Sequence, residues 1–139
     1  MMKKLISILV MVLLSSCSSM RYGNFTQISQ DKDEVLAKDA VNRLAKVYVP
    51  ARTTFTLSHK AHDGFGEKII ENLRKNGYGV VETASHQKPA NFYYVVDESN
   101  KNEVYRVSLF VGDQVYSRAY LVKEDVLAPI SAWSHKESA

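Results

Sequence analysis

The sequence is poor in cysteine, in long apolar runs and in excess charge, and each shortage limits what the chain can be. Cys17 is its one cysteine in 139 residues, so disulfides do not staple the fold. The longest apolar run, residues 5–14, is about half of the roughly 20 residues that a membrane-spanning helix needs. The formal charge is +3, and 18 basic residues fall to 16 against 15 acidic ones once Lys3 and Lys4 leave with the N-terminal leader. A nearly neutral chain lacks the clustered positive charge of a nucleic-acid-binding protein.

The N-terminus has the order of a bacterial secretory leader. A short positive region, the apolar run of residues 5–14 and two small residues precede Cys17. The order Leu14-Ser15-Ser16-Cys17 matches the lipobox at which bacterial lipoproteins are cut and acylated. We therefore predict a signal peptide over residues 1–16 and a covalent lipid on Cys17, carried as N-acyl and S-diacylglycerol groups. The alternative is an ordinary secreted protein with a chance cysteine near its cut site.

Ser18 predicts the destination of such a lipoprotein. In Gram-negative bacteria a residue other than Asp directly after the lipidated cysteine favours export to the outer membrane, so we expect the chain to face the periplasm. Residues 17–30 are rich in Ser, Asn, Gln and Gly and are interpreted as a flexible lipidated tether. The alternative is that Tyr22 and Phe25 pack on the domain. Residues 31–139 then form one periplasmic domain, large enough for one core but not for two.

Two helices are predicted early in this domain. Residues 33–48 carry an apolar stripe at helical spacing, and Asp31 and Glu34 have the spacing of a capping box. Residues 63–76 carry a second stripe and begin at an aspartate of the type that caps helices. Gly77 follows this second helix in the position of a left-handed cap.

Strands fill most of the remaining chain. Alternating apolar and polar residues predict them at 53–58, 78–82, 92–96, 104–111, 115–122 and 129–134. Gly112-Asp113 predicts a tight hairpin turn between the fourth and fifth of these strands. Two helices and a run of adjacent strands predict an α+β fold, in which two N-terminal helices pack on a mostly antiparallel β-sheet in a single small domain.

A search for catalytic chemistry in the sequence finds no site. His59 and His62 are three residues apart, but they lie in a predicted loop without a nearby thiol, and a closed zinc site needs four ligands. Ser85 and Lys88 match the S-x-x-K pattern of penicillin-binding enzymes, which depends on one helical turn, yet here they lie in a polar loop. We predict no catalytic residue, no metal, no cofactor besides the lipid and no small-molecule substrate.

The last predicted hairpin carries an unusual set of side chains. One face is assigned to the core, with Tyr105, Val107, Leu109, Val111, Val115, Ala119 and Leu121. The opposite face is predicted to bind a partner, because Tyr and Arg are enriched at binding hot spots. The candidate partner-binding residues are Arg106, Phe110, Tyr116, Arg118 and Tyr120, with Trp133 as a further candidate. The alternative is a solvated sheet face, where tyrosines are common because they suit strands.

Short motifs along almost the whole chain resemble one family. After the lipobox they are Tyr22-Gly23-Asn24-Phe25, Leu44 with Tyr48, Pro50-Ala51-Arg52, Phe65-Gly66, Leu73-Arg74 and Gly77-Tyr78. The most specific ones come late: Tyr105-Arg106, Val111-Gly112-Asp113-Gln114, Ser117-Arg118-Ala119-Tyr120, and Ala128-Pro129 before Ala132-Trp133. With these motifs the chain resembles the TrbH family of conjugal transfer lipoproteins. The loop between Thr83 and Ala90 is shorter than that family's pattern leads us to expect.

This resemblance implies a lipid-anchored structural or assembly component of a conjugative type IV secretion system, which supports plasmid DNA transfer through the cell envelope. The expected partners are the outer membrane, through the lipid anchor, and other secretion-channel proteins, without direct binding of nucleic acid. The family implies no catalytic residue. The alternatives are a pilotin-like assembly lipoprotein of another outer-membrane complex and a periplasmic cell-wall enzyme.

Overall fold

Two helices and two sheets make up the described part of the chain. The structure, a computed structural model, describes residues 22–99 and 103–138, so the predicted signal peptide and Cys17 lie outside the described residues. In chain order the elements are β1 (Gly23–Asn24), α1 (Gln30–Ala45), β2 (Thr54–Thr56), α2 (Gly64–Lys75), β3 (Gly79–Val81), β4 (Phe92–Ser99), β5 (Val104–Val111), β6 (Gln114–Lys123), β7 (Val126–Pro129) and β8 (Ser134–Glu137), with a 3-10 turn at Pro50–Arg52.

The larger sheet has six strands in the order β1-β4-β5-β6-β7, and β8 pairs with the same edge of β6 as β7 does. β1 runs parallel to β4, whereas the other pairings in this sheet are antiparallel. β2 and β3 form a separate parallel pair. The predicted α+β fold, a single small domain with a mostly antiparallel sheet, is confirmed.

The core lies between the two helices and one face of the larger sheet. Each large apolar side chain that is fully buried there contributes on the order of 1.5–3 kcal/mol to folding. The helices supply Leu36, Ala40, Val41, Leu44, Phe65, Ile69 and Leu73, and the sheet supplies Phe92, Tyr94, Val96, Tyr105, Val107 and Leu109. The opposite face of the sheet is not covered by either helix, and we call it the open face.

α1 begins and ends three residues earlier than predicted. Its N-cap is Ser29, whose carbonyl oxygen accepts hydrogen bonds from the N–H groups of Lys32 and Asp33, both at 3.0 Å. Asp31 therefore lies inside the first turn, where a negative charge interacts favourably with the helix dipole. The predicted capping box of Asp31 with Glu34 is wrong, because the cap lies two residues upstream. The apolar stripe itself is where the sequence predicted it.

α2 begins and ends as the sequence predicted. The Asp63 side chain accepts a hydrogen bond of 2.7 Å from a backbone N–H of the first turn, which makes it the N-cap. Gly77 has φ of 87°, in the left-handed region that favours glycine. The N–H of Gly77 donates to the Arg74 carbonyl at 3.0 Å, and the N–H of Tyr78 donates to the Leu73 carbonyl at 3.1 Å. These two bonds define a Schellman cap.

The predicted C-terminal strand over residues 129–134 is wrong. β7 ends at Pro129 and β8 begins at Ser134, and the segment between them crosses from one half of β6 to the other. Pro129 lacks an N–H group and so fits the end of an edge strand. The tight turn before β7 has Glu124 and Asp125 at φ of 52° and 62°.

Residues 22–29 are held against the domain, although the sequence placed them in the tether of residues 17–30. The N–H of Phe25 donates to the β4 backbone at 2.9 Å, next to the β1 pairing. The ring of Tyr22 stacks on the ring of Tyr93 with centroids 4.3 Å apart. The alternative that Tyr22 and Phe25 pack on the domain holds for Tyr22, whereas Phe25 is 56% exposed.

Candidate functional surface

The hairpin of β5 and β6 decides where the predicted binding residues point. Its two-residue turn has Gly112 at φ of 57° and pairs Val111 with Gln114. The register then places Leu109 opposite Tyr116. Directly paired residues project from the same side of a sheet. Tyr116, Arg118 and Tyr120 therefore project toward the helices, together with the core residues of β5.

The prediction that the candidate residues share one solvent-facing surface is wrong. Tyr116 and Tyr120 are each 1% exposed. The predicted core face contained Val115 rather than Tyr116, and a displacement of one residue moves every side chain of a strand to the other face. Arg106 and Phe110 do lie on the open face, so the predicted set divides between two sides of the sheet.

Arg118 and Tyr120 form an internal polar network with Asp39 of α1. Nη1 of Arg118 donates to both carboxylate oxygens of Asp39, at 3.0 and 2.9 Å. The Tyr120 hydroxyl donates to Oδ2 of the same carboxylate. Burial, followed by this bond to Asp39, raises the pKa of Tyr120 well above its ordinary value, so the phenol stays protonated. The network ties β6 to α1.

Arg118 also holds the segment between β7 and β8. Its Nε–H donates to the carbonyl oxygen of Ser131 at 2.9 Å. Its guanidinium carbon lies 6.0 Å from the ring centroid of Trp133, within the range of a cation–π contact. Trp133 is half-buried and packs against the core. Three of the six predicted residues, Arg118, Tyr120 and Trp133, therefore lie in one cluster that stabilises the fold.

The open face is the surface that remains available. A groove of about 820 Å³ crosses it, and the groove is lined by Arg106, Ser108, Phe110, Val115, Ser117, Arg118 and Ala119, with residues of the β7–β8 segment and β8 along one side. The hydroxyls of Ser108 and Ser117 bond to each other at 2.9 Å, which satisfies both on the sheet floor. Arg106 pairs with Asp97 at 2.6 Å at one end.

Tyr22 joins this face from the N-terminal side. Besides stacking on Tyr93, its ring meets the ring of Phe110 edge to face, with centroids 5.4 Å apart. Both partners project from the open face, so the first described residue of the chain lies on that face. Packing of Tyr22 on the domain was the alternative to the flexible tether, but the sequence did not show which face of the sheet receives it.

A buried carboxylate lies on the helix side, away from the open face. Asp33 of α1 is 3% exposed, and one of its oxygens accepts a hydrogen bond of 3.3 Å from the Asn24 side chain. Burial and the neighbouring charges of Asp63 and Asp31 raise the pKa of Asp33 to about 6. Asp63 accepts a bond of 2.5 Å from the Tyr94 hydroxyl. The proximity of Asp33 and Asp63 could not be predicted from the sequence, because these two residues are far apart in the chain.

No group of three or more His, Cys, Asp or Glu that could hold a metal ion is found in residues 22–99 and 103–138. Ser85 and Lys88 close a turn, with the Ser85 N–H donating to the Lys88 carbonyl at 3.1 Å, and are not on a helix. His135 stacks on Tyr116, with ring centroids 4.7 Å apart.

The described helices are too short or too polar to cross a bilayer. The fold is a small α+β domain with helices on one side of its sheet and a shallow, mixed apolar and polar groove on the other. The family model described as Conjugal transfer protein TrbH matches residues 19–137. The chain therefore belongs to the TrbH family and is a conjugal transfer component. No curated protein and no solved structure matches the chain.

Proposed function

We propose that this chain is a lipid-anchored structural or assembly component of a conjugative type IV secretion system, held at the outer membrane through Cys17 and facing the periplasm. The match to the TrbH family model carries the proposal, and it begins two residues after the lipobox cysteine. In this role the chain supports plasmid DNA transfer by helping to assemble or hold the channel. It does so without catalysis and without binding DNA itself.

The anchor has a physical purpose in such an assembly. Tyr22 is fixed to the sheet, and it follows Cys17 by five positions. Five extended residues span at most about 17 Å. A lipid on Cys17 would therefore keep the domain close to the membrane and raise its local concentration near other outer-membrane components. Stable anchoring takes more than one acyl chain, as a modified lipobox cysteine provides.

The test of this proposal is the variant Cys17→Ser, which removes the only thiol that can accept the lipid. We expect it to remain as an unprocessed precursor, to lose labelling by radioactive palmitate and to lower mating frequency. Ser16→Ala keeps a small residue before the cut site and is the matched control, expected to behave as wild type. Continued palmitate labelling of Cys17→Ser would contradict lipidation at this residue.

A second variant separates the lipid from its location. Ser18→Asp leaves the lipobox intact but introduces the residue that retains Gram-negative lipoproteins in the inner membrane. We expect normal palmitate labelling, a shift from outer-membrane to inner-membrane fractions and reduced mating. If mating is unaffected after such a shift, the outer-membrane location is not needed and that part of the proposal fails.

A further inference from the structure

We propose that the open face of the larger sheet lies against the lipid headgroups of the membrane that holds Cys17. This orientation rests on the proposed lipidation and adds to it the surface that the domain presents to the bilayer. The opposite, helix-covered side then faces the periplasm.

The first observation is the composition of the open face. Its floor combines half-buried and buried apolar side chains with a few small hydroxyls, and it consists of Tyr93, Val95, Ser108, Phe110, Val115, Ser117, Ala119 and Leu121. Both described helices pack on the other side. A sheet face exposed to water normally carries mostly charged or polar residues. The open face carries the Arg106–Asp97 ion pair at one end, but its floor is mainly apolar and aromatic.

The second observation is where the chain reaches the domain. Tyr22 sits on the open face, stacked on Tyr93 and against the edge of Phe110. Cys17 is five positions upstream, within about 17 Å of Tyr22 even if the chain is fully extended. A helix is about 10–12 Å in diameter. To place the membrane beyond the helices, the same five residues would have to pass the sheet edge and then the whole helix layer. That path takes up the full length of about 17 Å that five residues can span.

The third observation is the chemistry around the floor. Tyrosine is enriched where membranes meet water, because its ring is apolar and its hydroxyl is polar, and Tyr22 and Tyr93 stack at this position. Lys123 and Lys136 are exposed, and their strand registers place them on the open-face side. Exposed cations are attracted to anionic headgroups within a Debye length of the surface.

The experiment uses the mature chain from Cys17 onward, with its single thiol coupled to maleimide-phosphatidylethanolamine on vesicles of phosphatidylethanolamine with a minor fraction of phosphatidylglycerol. The reference is the same chain with Cys17 capped by N-ethylmaleimide. A membrane-impermeant acetylating reagent then reports the exposure of each lysine by mass spectrometry. We expect Lys123 and Lys136 to react several-fold more slowly on vesicles, whereas Lys38 and Lys75, on the exposed sides of the helices, keep their rates.

Variants in the N-terminal segment test the role of Tyr22. Tyr22→Ala frees the segment from the open face and should reduce the protection of Lys136, while its thermal unfolding shows that the domain still folds. Phe25→Ala is the matched control from the same segment, because its ring is mostly exposed, whereas the ring that stacks on Tyr93 and meets Phe110 is that of Tyr22. This control should keep the full protection.

Two results would overturn the proposal. Equal slowing of the helix lysines and the open-face lysines would mean that the domain has no fixed orientation. Protection of Lys136 in the capped chain without vesicles, rising with protein concentration, would assign the open face to a second copy. Because the anchor is coupled chemically, the outcome is independent of lipidation in the cell. Palmitate labelling tests lipidation separately.

Discussion

At the scale of single residues, Arg118 connects three parts of the chain. Its guanidinium pairs with both oxygens of Asp39, and its Nε–H reaches the carbonyl oxygen of Ser131. The two charged side chains are 22% and 28% exposed, so water screens them only in part. A planar guanidinium fixes the direction of its partners as well as neutralising charge, which a lysine at this position would not do. Arg118 therefore stabilises the fold rather than offering a free binding group.

We expect a double-mutant cycle of Arg118→Ala and Asp39→Ala to give a coupling energy of about 1–3 kcal/mol, measured by urea unfolding. The Arg106–Asp97 pair on the open face supplies a matched control with the same residue types. Its side chains are 59% and 34% exposed, and exposed pairs couple by less than about 1 kcal/mol. Coupling no larger for Arg118–Asp39 than for Arg106–Asp97 would show that the internal network does not stabilise the fold.

Asp33 makes the stability of the domain depend on pH. Burial raises its folded-state pKa to about 6 from the ordinary 3.8, so the folded state holds a proton that the unfolded state releases earlier. This contribution is fully present below about pH 4 and is lost as the pH rises through about 6. Ionising Asp33 in the fold thus costs on the order of 1–3 kcal/mol.

The variant Asp33→Asn removes this titration while keeping the shape of the side chain. We expect the melting temperature of the variant, relative to wild type, to increase between pH 4 and pH 7.5, because only wild type loses stability over this range. Thermal unfolding across that interval measures the difference. Glu103→Gln, at an exposed carboxyl outside the helices, is the control. Parallel pH profiles for Asp33→Asn and wild type would mean that Asp33 ionises freely in the fold.

At the scale of elements, the exit of α2 depends on one backbone angle. Gly77 lies at φ of 87°, where a side chain with a branched Cβ is strained. Gly77→Val should lower the free energy of unfolding by about 1 kcal/mol or more. Gly77→Asn is the matched variant, because Asn tolerates left-handed angles, and it should lose less. Equal unfolding midpoints for Gly77→Val and wild type would show that the helix ends without this cap.

The elements that the sequence predicted well are those whose signals are local. The apolar stripe of α1, the Asp63 cap, the Gly77 exit and the two-residue turn at Gly112 each depend on residues within a few positions of one another. The face of β6 was also contained in the sequence: a turn of two residues pairs Val111 with Gln114, and this alone places Tyr116 with the core. The assignment failed because it placed Val115, rather than Tyr116, on the same face as Leu109, a displacement of one residue.

Other features could not be predicted because they depend on distant contacts. β1 has only two residues, and its pairing with β4 joins positions about 70 residues apart. Asp39 gave no signal in the sequence, since its partners Arg118 and Tyr120 are roughly 80 positions away. The break between β7 and β8 needs the edge of β6 to be known first. The groove on the open face combines residues of β5, β6, β8 and the segment before β8, and among these the sequence identified Arg106, Phe110 and Arg118 as candidates.

At the scale of the whole molecule, the fold is asymmetric. Helices cover one side of the sheet, and the N-terminal segment crosses the other side at Tyr22. Part of the tether predicted over residues 17–30, namely residues 22–29, is held against the domain. With the lipid that we propose on Cys17, a short link would set both how far the domain stands from the membrane and which side it turns toward it, whereas a long flexible link would set neither.

This asymmetry leads to a prediction about link length. Inserting about ten Gly and Ser residues between Ser19 and Met20 makes the link roughly three times longer, and effective concentration falls with about the −3/2 power of length, or roughly fivefold. We expect palmitate labelling and outer-membrane fractionation to remain normal, protection of Lys136 on vesicles to weaken, and mating frequency to fall several-fold, less than in Cys17→Ser. The matched control inserts the same residues after Ser138, beyond β8, where they do not alter the distance between the lipid and the sheet. Normal mating with the long link would show that the lipid serves only to direct the chain to the outer membrane. Complete loss of mating would show that the channel requires the domain at one fixed height above the membrane.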